Sequence, residues 1–259
     1  MKKLLFLVLI SLAFVACSSD DSPTILEEET NASLKLYKRT NSYYDGVLSS
    51  TQEVFYNSEN KIESVTLNEV DYLNRTFTVN YTNGNVSGIT SYTDVINPNG
   101  IDETINYNDI TLTNNTIILI SDASDRTLEI EFSNGYVNST KFYPTSMPSS
   151  LFEQIFTRNS NNQLISNTTG FDSFEYSDFD ADKQLDPYGS VMEYEHSTFF
   201  MIFGLEVSRD NPLTATYNGN NGETYSNFLE YDEQGYVTKV SYDSSNSNSN
   251  YSEHQYITE

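Results

Sequence analysis

The carboxylates Asp178, Asp180, Asp182 and Asp186 are the sharpest grouping of potential metal ligands in the chain. Alternating carboxylates offer hard oxygens to Ca²⁺, and the first three follow the opening of an EF-hand loop. The pattern then fails. Lys183 stands where such a loop needs glycine, and Gly189 occupies the twelfth position, which must supply a bidentate carboxylate. The group therefore reads as an acidic solvated turn, with Asp178, Asp180 and Asp182 a weak calcium candidate and no cofactor expected. His196 and His254 are the only histidines, and neither has a second ligand at metal-binding spacing. There is no G-x-S-x-G elbow and no glycine-rich phosphate loop. The 37 acidic residues form too many pairs to single out a glycosidase-type couple. The chain reads as non-catalytic, with a carboxylate-pair hydrolase as the third-ranked alternative.

One residue near the N-terminus does carry defined chemistry. Lys2 and Lys3 form a short basic region, Leu4 to Val15 are almost wholly apolar, and small Ala16 precedes Cys17, the only cysteine. This is the layout of a secretory signal, too short to span a bilayer as a mature helix. The segment resembles the lipobox of bacterial lipoproteins, although Phe14 stands where a lipobox usually carries leucine. The resemblance implies that Cys17 is acylated and becomes the mature N-terminus. Each buried methylene contributes about 0.8 kcal/mol, and stable attachment takes more than one chain. The two or three chains implied here make attachment effectively permanent. Ser18, Ser19, Asp20 and Asp21 resemble the acidic export signal of Bacteroidota lipoproteins, which implies the outer membrane and its outer face, the periplasmic face being the alternative.

Composition bounds the remainder. Thirteen basic residues against 37 acidic ones give a net charge of −24, which repels phosphate backbones and makes nucleic acid a poor partner. With no cysteine after Cys17, a disulfide framework is excluded. The chain has 20 tyrosines, 15 phenylalanines and no tryptophan, with abundant Asn, Ser and Thr. That composition favours β-structure joined by Asn/Gly turns.

A unit recurs along the chain: an aromatic residue, a polar turn, then an apolar β-former. It appears as Tyr56 to Ile62, Tyr81 to Val86, Phe132 to Val137 and Tyr231 to Val237, with a degenerate copy from Phe156 to Leu164. The aromatics lie near multiples of about 25 residues, room for two strands and two turns. Gaps in the series fall near Tyr107, Phe179 and Val207. Asn83-Gly84 and Asn134-Gly135 predict type I′ hairpin turns, and the longer Asp232 to Gly235 turn predicts a type I turn closed by glycine. The unit resembles the tyrosine–aspartate repeats of bacterial surface proteins and related Bacteroidota lipoproteins of uncharacterised function. Asn211-Pro212, Tyr231-Asp232 with Gly235, and Phe179 to Pro187 carry that resemblance. It implies an extended or curled antiparallel sheet and no established activity.

The expected organisation is a signal peptide over 1–16, a lipidated tether over 17–33 and a single all-β repeat domain over 34–259. Repeated antiparallel hairpins form an extended or curled single sheet, a closed barrel being the alternative, with at most one short helix near 196–203. Ile117 to Ile120 predict a strand buried on both faces, and Phe199 to Phe203 a short helix or strand that plugs the sheet. Pro144 and Pro148 mark a break between halves of one continuous core. The expected role is a binding or scaffold module on a lipid tether, the alternative a glycan-binding accessory of a nutrient-uptake system. Tyrosine faces can stack on sugars, but Tyr is also an ideal cross-strand partner, and the structural role is preferred. The expected partners are the membrane, through the lipid, and a glycan or surface protein. Cys17→Ser should move the chain from the membrane to the soluble fraction, as read by fractionation and immunoblot; unchanged partition with membranes would refute the acylation.

Overall fold

The computed structural model describes residues 35–96, 100–170, 172–180, 194–218, 224–244 and 250–258. Cys17, Ser18, Ser19, Asp20, Asp21, Asp182 and Asp186 lie outside them. Alternation of apolar and polar residues produces strands β1 (Lys35–Tyr44), β2 (Val47–Tyr56), β3 (Ile62–Glu69), β4 (Leu73–Thr82), β5 (Asn85–Val95) and β6 (Glu103–Tyr107). These are followed by β7 (Asp109–Leu112), β8 (Thr116–Ser121), β9 (Arg126–Ser133), β10 (Tyr136–Tyr143), β11 (Phe152–Arg158), β12 (Leu164–Thr169) and β13 (Asp172–Asp180). A helix, α1 (Tyr194–Phe203), precedes β14 (Asn211–Tyr217), β15 (Thr224–Tyr231), β16 (Val237–Ser244) and β17 (Asn250–Thr258).

Successive strands pair antiparallel, and the curled sheet meets itself. β1 pairs with β2 on one side and with β17 on the other, setting Thr40 opposite His254 and Ser42 opposite Ser252. Asn108 is the single residue between β6 and β7. β6 pairs with β5 and β7 pairs with β8, so the chain passes there from one neighbour to the next. The result is a nearly closed barrel of the 17 described strands, the expected curled sheet brought to its barrel form.

The two faces of this sheet differ in kind. An inward row runs Val54, Val65, Phe77, Ser91, Ile105 across five strands, and all five are buried. The neighbouring outward row runs Arg39, Glu53, Thr66, Thr76, Tyr92, Thr104. On the opposite side the outward positions are Glu131, Ser139, Ile155, Thr168 and Ser173. A membrane-spanning barrel has an apolar outer band and a polar lumen. Here an apolar core lies inside, alongside buried Gln52, Gln154, Asn167 and His254, and the outer face mixes polar residues with exposed Phe55, Tyr92, Ile155 and Phe228. β8 shows the same rule against expectation: Ile117 and Leu119 are buried, whereas Ile118 and Ile120 are half-buried on the outer face beside Glu129 and Thr127. A single sheet with solvent outside has only one face to bury.

The helix completes the core. Its run from Ser197 to Phe200 is buried, and Phe199 meets Phe77 and Tyr107 edge-on at ring separations of 5.7 and 5.5 Å. Phe200 lies edge-on to Phe156 at 6.3 Å. A helix that is apolar around most of its circumference is stable only when enclosed. It ends where Gly204 takes φ +64°, with the Gly204 N–H bonded to Met201 O and Leu205 N–H to Phe200 O, the paired bonds of a Schellman motif. The chain is then stitched to two hairpins: Val137 N–H to Glu206 O, Glu206 N–H to Gly135 O, and Arg209 N–H to Asn162 O. Arg158 adds bonds to Val137 O, Val207 O and Asn138 Oδ1.

The hairpins sort by end. The connections at 57–61, 83–84, 134–135, 159–163 and 232–236 share one end with the start of β1, here the near end. All five recognised sequence units are these near-end turns. Asn83-Gly84 and Asn134-Gly135 have positive φ at both residues, as type I′ turns require. The other three share one geometry. The Oδ1 of Asn57, Asn159 and Asp232 accepts two backbone N–H groups, two and four residues on, at 2.9–3.1 Å. Positive φ then falls on Asn60, Asn162 and Gly235. The copy from Phe156 to Leu164, degenerate in sequence, is therefore regular in structure. Phe199→Ala should cost about 3–5 kcal/mol in urea unfolding, whereas Phe228→Ala, 57% exposed on the outer face, should change stability by less than about 0.5 kcal/mol. Equal effects would mean that the helix is not a core element.

Candidate functional site

The near end carries a cleft of about 830 Å³, within the range of small-molecule sites, roughly 300–1,000 Å³. Its walls come from three directions. Ile62 and Val86 follow two near-end turns, Ile110 and Leu112 belong to β7, and Met201, Ile202 and Phe203 are the last turn of the helix. Tyr37, Tyr56 and Tyr81 complete the lining, with Asn60, Lys61 and Asn85 at polar positions.

The tyrosine hydroxyls are already engaged. Tyr56 donates to Tyr37 O at 2.6 Å and Tyr81 to Ile62 O at 2.9 Å. Tyr256 donates to Val237 O at 2.8 Å, and all three bonds span 19 residues. Each hydroxyl thus ties one repeat to the carbonyl of the unit before it. Burial pushes the Tyr56 hydroxyl up to about 12 and raises that of Tyr81 in the same direction. The rings therefore offer apolar surface, and their hydroxyls serve the fold. This supports the structural role over a sugar platform. Tyr256 and Tyr37 escaped the sequence reading. Extending the series one unit beyond Tyr231 reaches Tyr256, but Tyr37 lies a bond's offset, not a full unit, before Tyr56.

Lys61 is the cation of the lining. Its ammonium meets Glu59 Oε2 at 2.9 Å and lies 5.7 Å from the centre of the Tyr81 ring. It reaches across to the neighbouring hairpin, where a Cβ built on Gly84 would stand 3.3 Å from the nitrogen. None of the described lining residues is acidic, in a chain with 37 acidic residues.

A second concavity of about 700 Å³ lies toward the other end of the barrel, lined largely by Arg39, Asn41, Thr51, Glu53, Asn68 and Asn74. Arg39 and Glu53 form an ion pair at 2.9 Å across it. At the far end the turns expose Val47, Val70, Tyr72, Ile96, Ile101 and Met147, Ile101 to 85%. Backbone bonds from Val70 N to Ser49 O and from Ile96 N to Tyr72 O join three of these turns into one ledge. Carboxylates of Asp45, Asp71 and Asp102 are interspersed in the same turns.

Of the candidate calcium ligands, Asp178 and Asp180 are described. Asp178 and Asp180 lie in β13, where Asp178 Oδ2 accepts from Thr214 and Ser177 at 3.1 Å and Asp180 Oδ2 accepts from Tyr231 at 2.5 Å. Among the described residues no group of three or more His, Cys, Asp or Glu is placed to hold a metal ion. His254 lies inside the barrel, its Nδ1 2.6 Å from Thr40 Oγ1, whose oxygen also accepts the Tyr37 hydroxyl. Only the backbone of His196 is described, in the helix.

No family model matches the chain, and no curated protein matches it. Among solved structures, a porin-like protein from Bacteroides vulgatus ATCC 8482 is similar at 9% identity and a TM-score of 0.49, over 86% of this chain and 99% of that one. A second porin-like protein, from Bacteroides uniformis ATCC 8492, is also 9% identical, with a TM-score of 0.40 over 85% and 96%. The Photorhabdus luminescens Tc holotoxin pore gives 11% identity and a TM-score of 0.27, covering 80% of this chain and 10% of that one. Likenesses this weak say nothing about function.

Tyr56 generates a pH dependence. Its hydroxyl holds its proton more tightly when folded, so its contribution is complete below the unfolded value of about 10. It is lost as pH rises toward the folded value of about 12. Unfolding free energy, read in urea between pH 9 and 11.5, should fall more steeply for the wild type than for Tyr56→Phe. Identical slopes would refute this account of Tyr56.

Proposed function

We propose that the protein is a non-catalytic binding module, lipid-anchored through Cys17 at the outer membrane, with the far end of its barrel turned to the cell exterior. One observation carries this reading: the chain enters the sheet at the near end, at Lys35, while the exposed apolar ledge lies at the opposite end. A tether from Cys17 to Lys35 attaches the barrel by its near end and leaves Val47, Val70 and Ile101 furthest from the membrane. Isolated exposed apolar side chains are ordinary, but a contiguous set on one rim marks a contact surface. The carboxylates among them suit a surface protein that is itself apolar and basic. The polar residues of the outer face support anchorage by lipid rather than by strands, because a band of Thr, Ser, Asn and Glu is costly in hydrocarbon. Ser18, Ser19, Asp20 and Asp21 support delivery to the outer face. The near-end turns, with their repeated Asx geometry, support kinship with tyrosine–aspartate repeat proteins.

The glycan-binding alternative is favoured by the second concavity, where amide and charged side chains of Arg39, Asn41, Glu53, Asn68 and Asn74 meet beside apolar Leu48 and Val70. A glycan array probed with wild type and Asn68→Ala tests it: saturable signals abolished by the substitution would move the function to that groove.

Acylation of Cys17 consumes the only native thiol, so an introduced cysteine is unique. Ile101→Cys should react with a membrane-impermeant maleimide on intact cells. Labelling only after the outer membrane is permeabilised would place the barrel on the periplasmic side and overturn the orientation.

A further inference from the structure

We propose that the near-end cleft binds a long-chain carboxylate, with the hydrocarbon between β7 and the last helical turn and the carboxylate on Lys61. The inference rests on the binding-module reading and adds a ligand class and a second site to it. Three features carry it. The walls are aliphatic: Ile62, Val86, Ile110, Leu112, Met201 and Ile202. The tyrosines add ring faces without free hydroxyls, because Tyr56 and Tyr81 donate to main-chain carbonyls. A sugar, which needs hydrogen-bond partners around its whole rim, would find few here, whereas a hydrocarbon chain is matched by such walls.

The third feature is electrostatic. The net charge of −24 would oppose an anion, but charges beyond a Debye length of about 8 Å are largely screened at physiological salt. Among the described lining residues there is one cation, Lys61, and no carboxylate. Its present ion partner, Glu59, is 68% exposed, so a ligand carboxylate can replace it without burying a new charge unpaired. Tyr81 holds the ammonium from the other side through its ring face. Asn60 and Asn85 supply amide donors beside it. The start of β1 shares this end, so an anchored barrel turns the cleft toward the lipid from which such an amphiphile partitions.

The test uses the mature chain carrying Cys17→Ser, which has no acyl group of its own. A dansyl-labelled undecanoic acid should bind saturably with one site per chain and be displaced by palmitate, with hexadecanol at least tenfold weaker. Lys61→Glu and Leu112→Asp should each raise the probe Kd at least tenfold. Leu112 is 59% exposed, so its replacement spares the core. Val47→Asp, on the far-end ledge, should leave binding unchanged. Non-saturable binding, indifference to both cleft substitutions, or equal loss in Val47→Asp would overturn the proposal. Equal affinity for hexadecanol would overturn the role of Lys61. A tenfold gain in affinity when Ile25 and Leu26 are both changed to Ser would name the chain's own tether as the resident and overturn the carboxylate. Because the unacylated chain is used, failure here is distinct from failure of membrane anchorage.

Discussion

The edge-to-face seating of Phe199 between Phe77 and Tyr107 is the contact on which the rest of the barrel depends. A round barrel of 16–18 strands encloses an aqueous channel. Strand side chains alone cannot fill that space, and an apolar inner face around water would be unstable. The helix supplies the missing volume, and inward residues from opposite sides of the sheet meet on its two flanks. Closure of the sheet and burial of the helix are therefore one event, because neither is favourable without the other.

The near end shows how repetition in sequence becomes a mechanical device. Each of the five repeat turns delivers an aromatic residue to the rim; the hydroxyls of Tyr56 and Tyr81, and of Tyr256 in β17, cap the carbonyls 19 residues before, at Tyr37, Ile62 and Val237, whereas Tyr231 donates to Asp180. Each of these three caps adds a side-chain bond between two strands that already pair as neighbours, β1 with β2, β3 with β4 and β16 with β17. Two further rings, Tyr236 and Tyr256, close together at 5.1 Å where the last repeat meets the first strand. The same rim holds the helix terminus and the start of β1, so the cleft forms where repeat ends, plug and first strand converge. The far end has no such furniture, and its turns leave apolar side chains in solvent.

Much of the fold was legible in the sequence, because its signals are local. Asn-Gly pairs dictate type I′ turns wherever they fall between alternating segments, and the run from Phe199 to Phe203 is too apolar to lie anywhere but inside. The run from Ile117 to Ile120 misled for an equally physical reason. Four successive apolar residues fit a strand buried on both faces, yet this sheet has solvent on one side, and Ile118 and Ile120 stay half-buried against Glu129 and Thr127. Of the alternating aspartates, Asp178 and Asp180 lie in β13 and take Thr214 and Tyr231 as partners, pairings between strands that spacing along the chain does not encode.

By itself, the sequence determined the all-β class, the repeated near-end hairpin turns and the burial of the run from Phe199, and set the expectation at Cys17, since each depends on residues close together in the chain. Only the tertiary structure decided that β1 pairs with β17 and that β6 and β7, either side of Asn108, pair with different neighbours. It alone set the cleft between β7 and the helix, whose walls come from five segments spread over residues 37–204. Closure depends on accumulated twist and on a helix distant in sequence filling the space, and periodicity encodes neither. The unit counted from Tyr56 onward already contained the repeat; that its hydroxyls bind the carbonyls of preceding units required the strands to lie side by side.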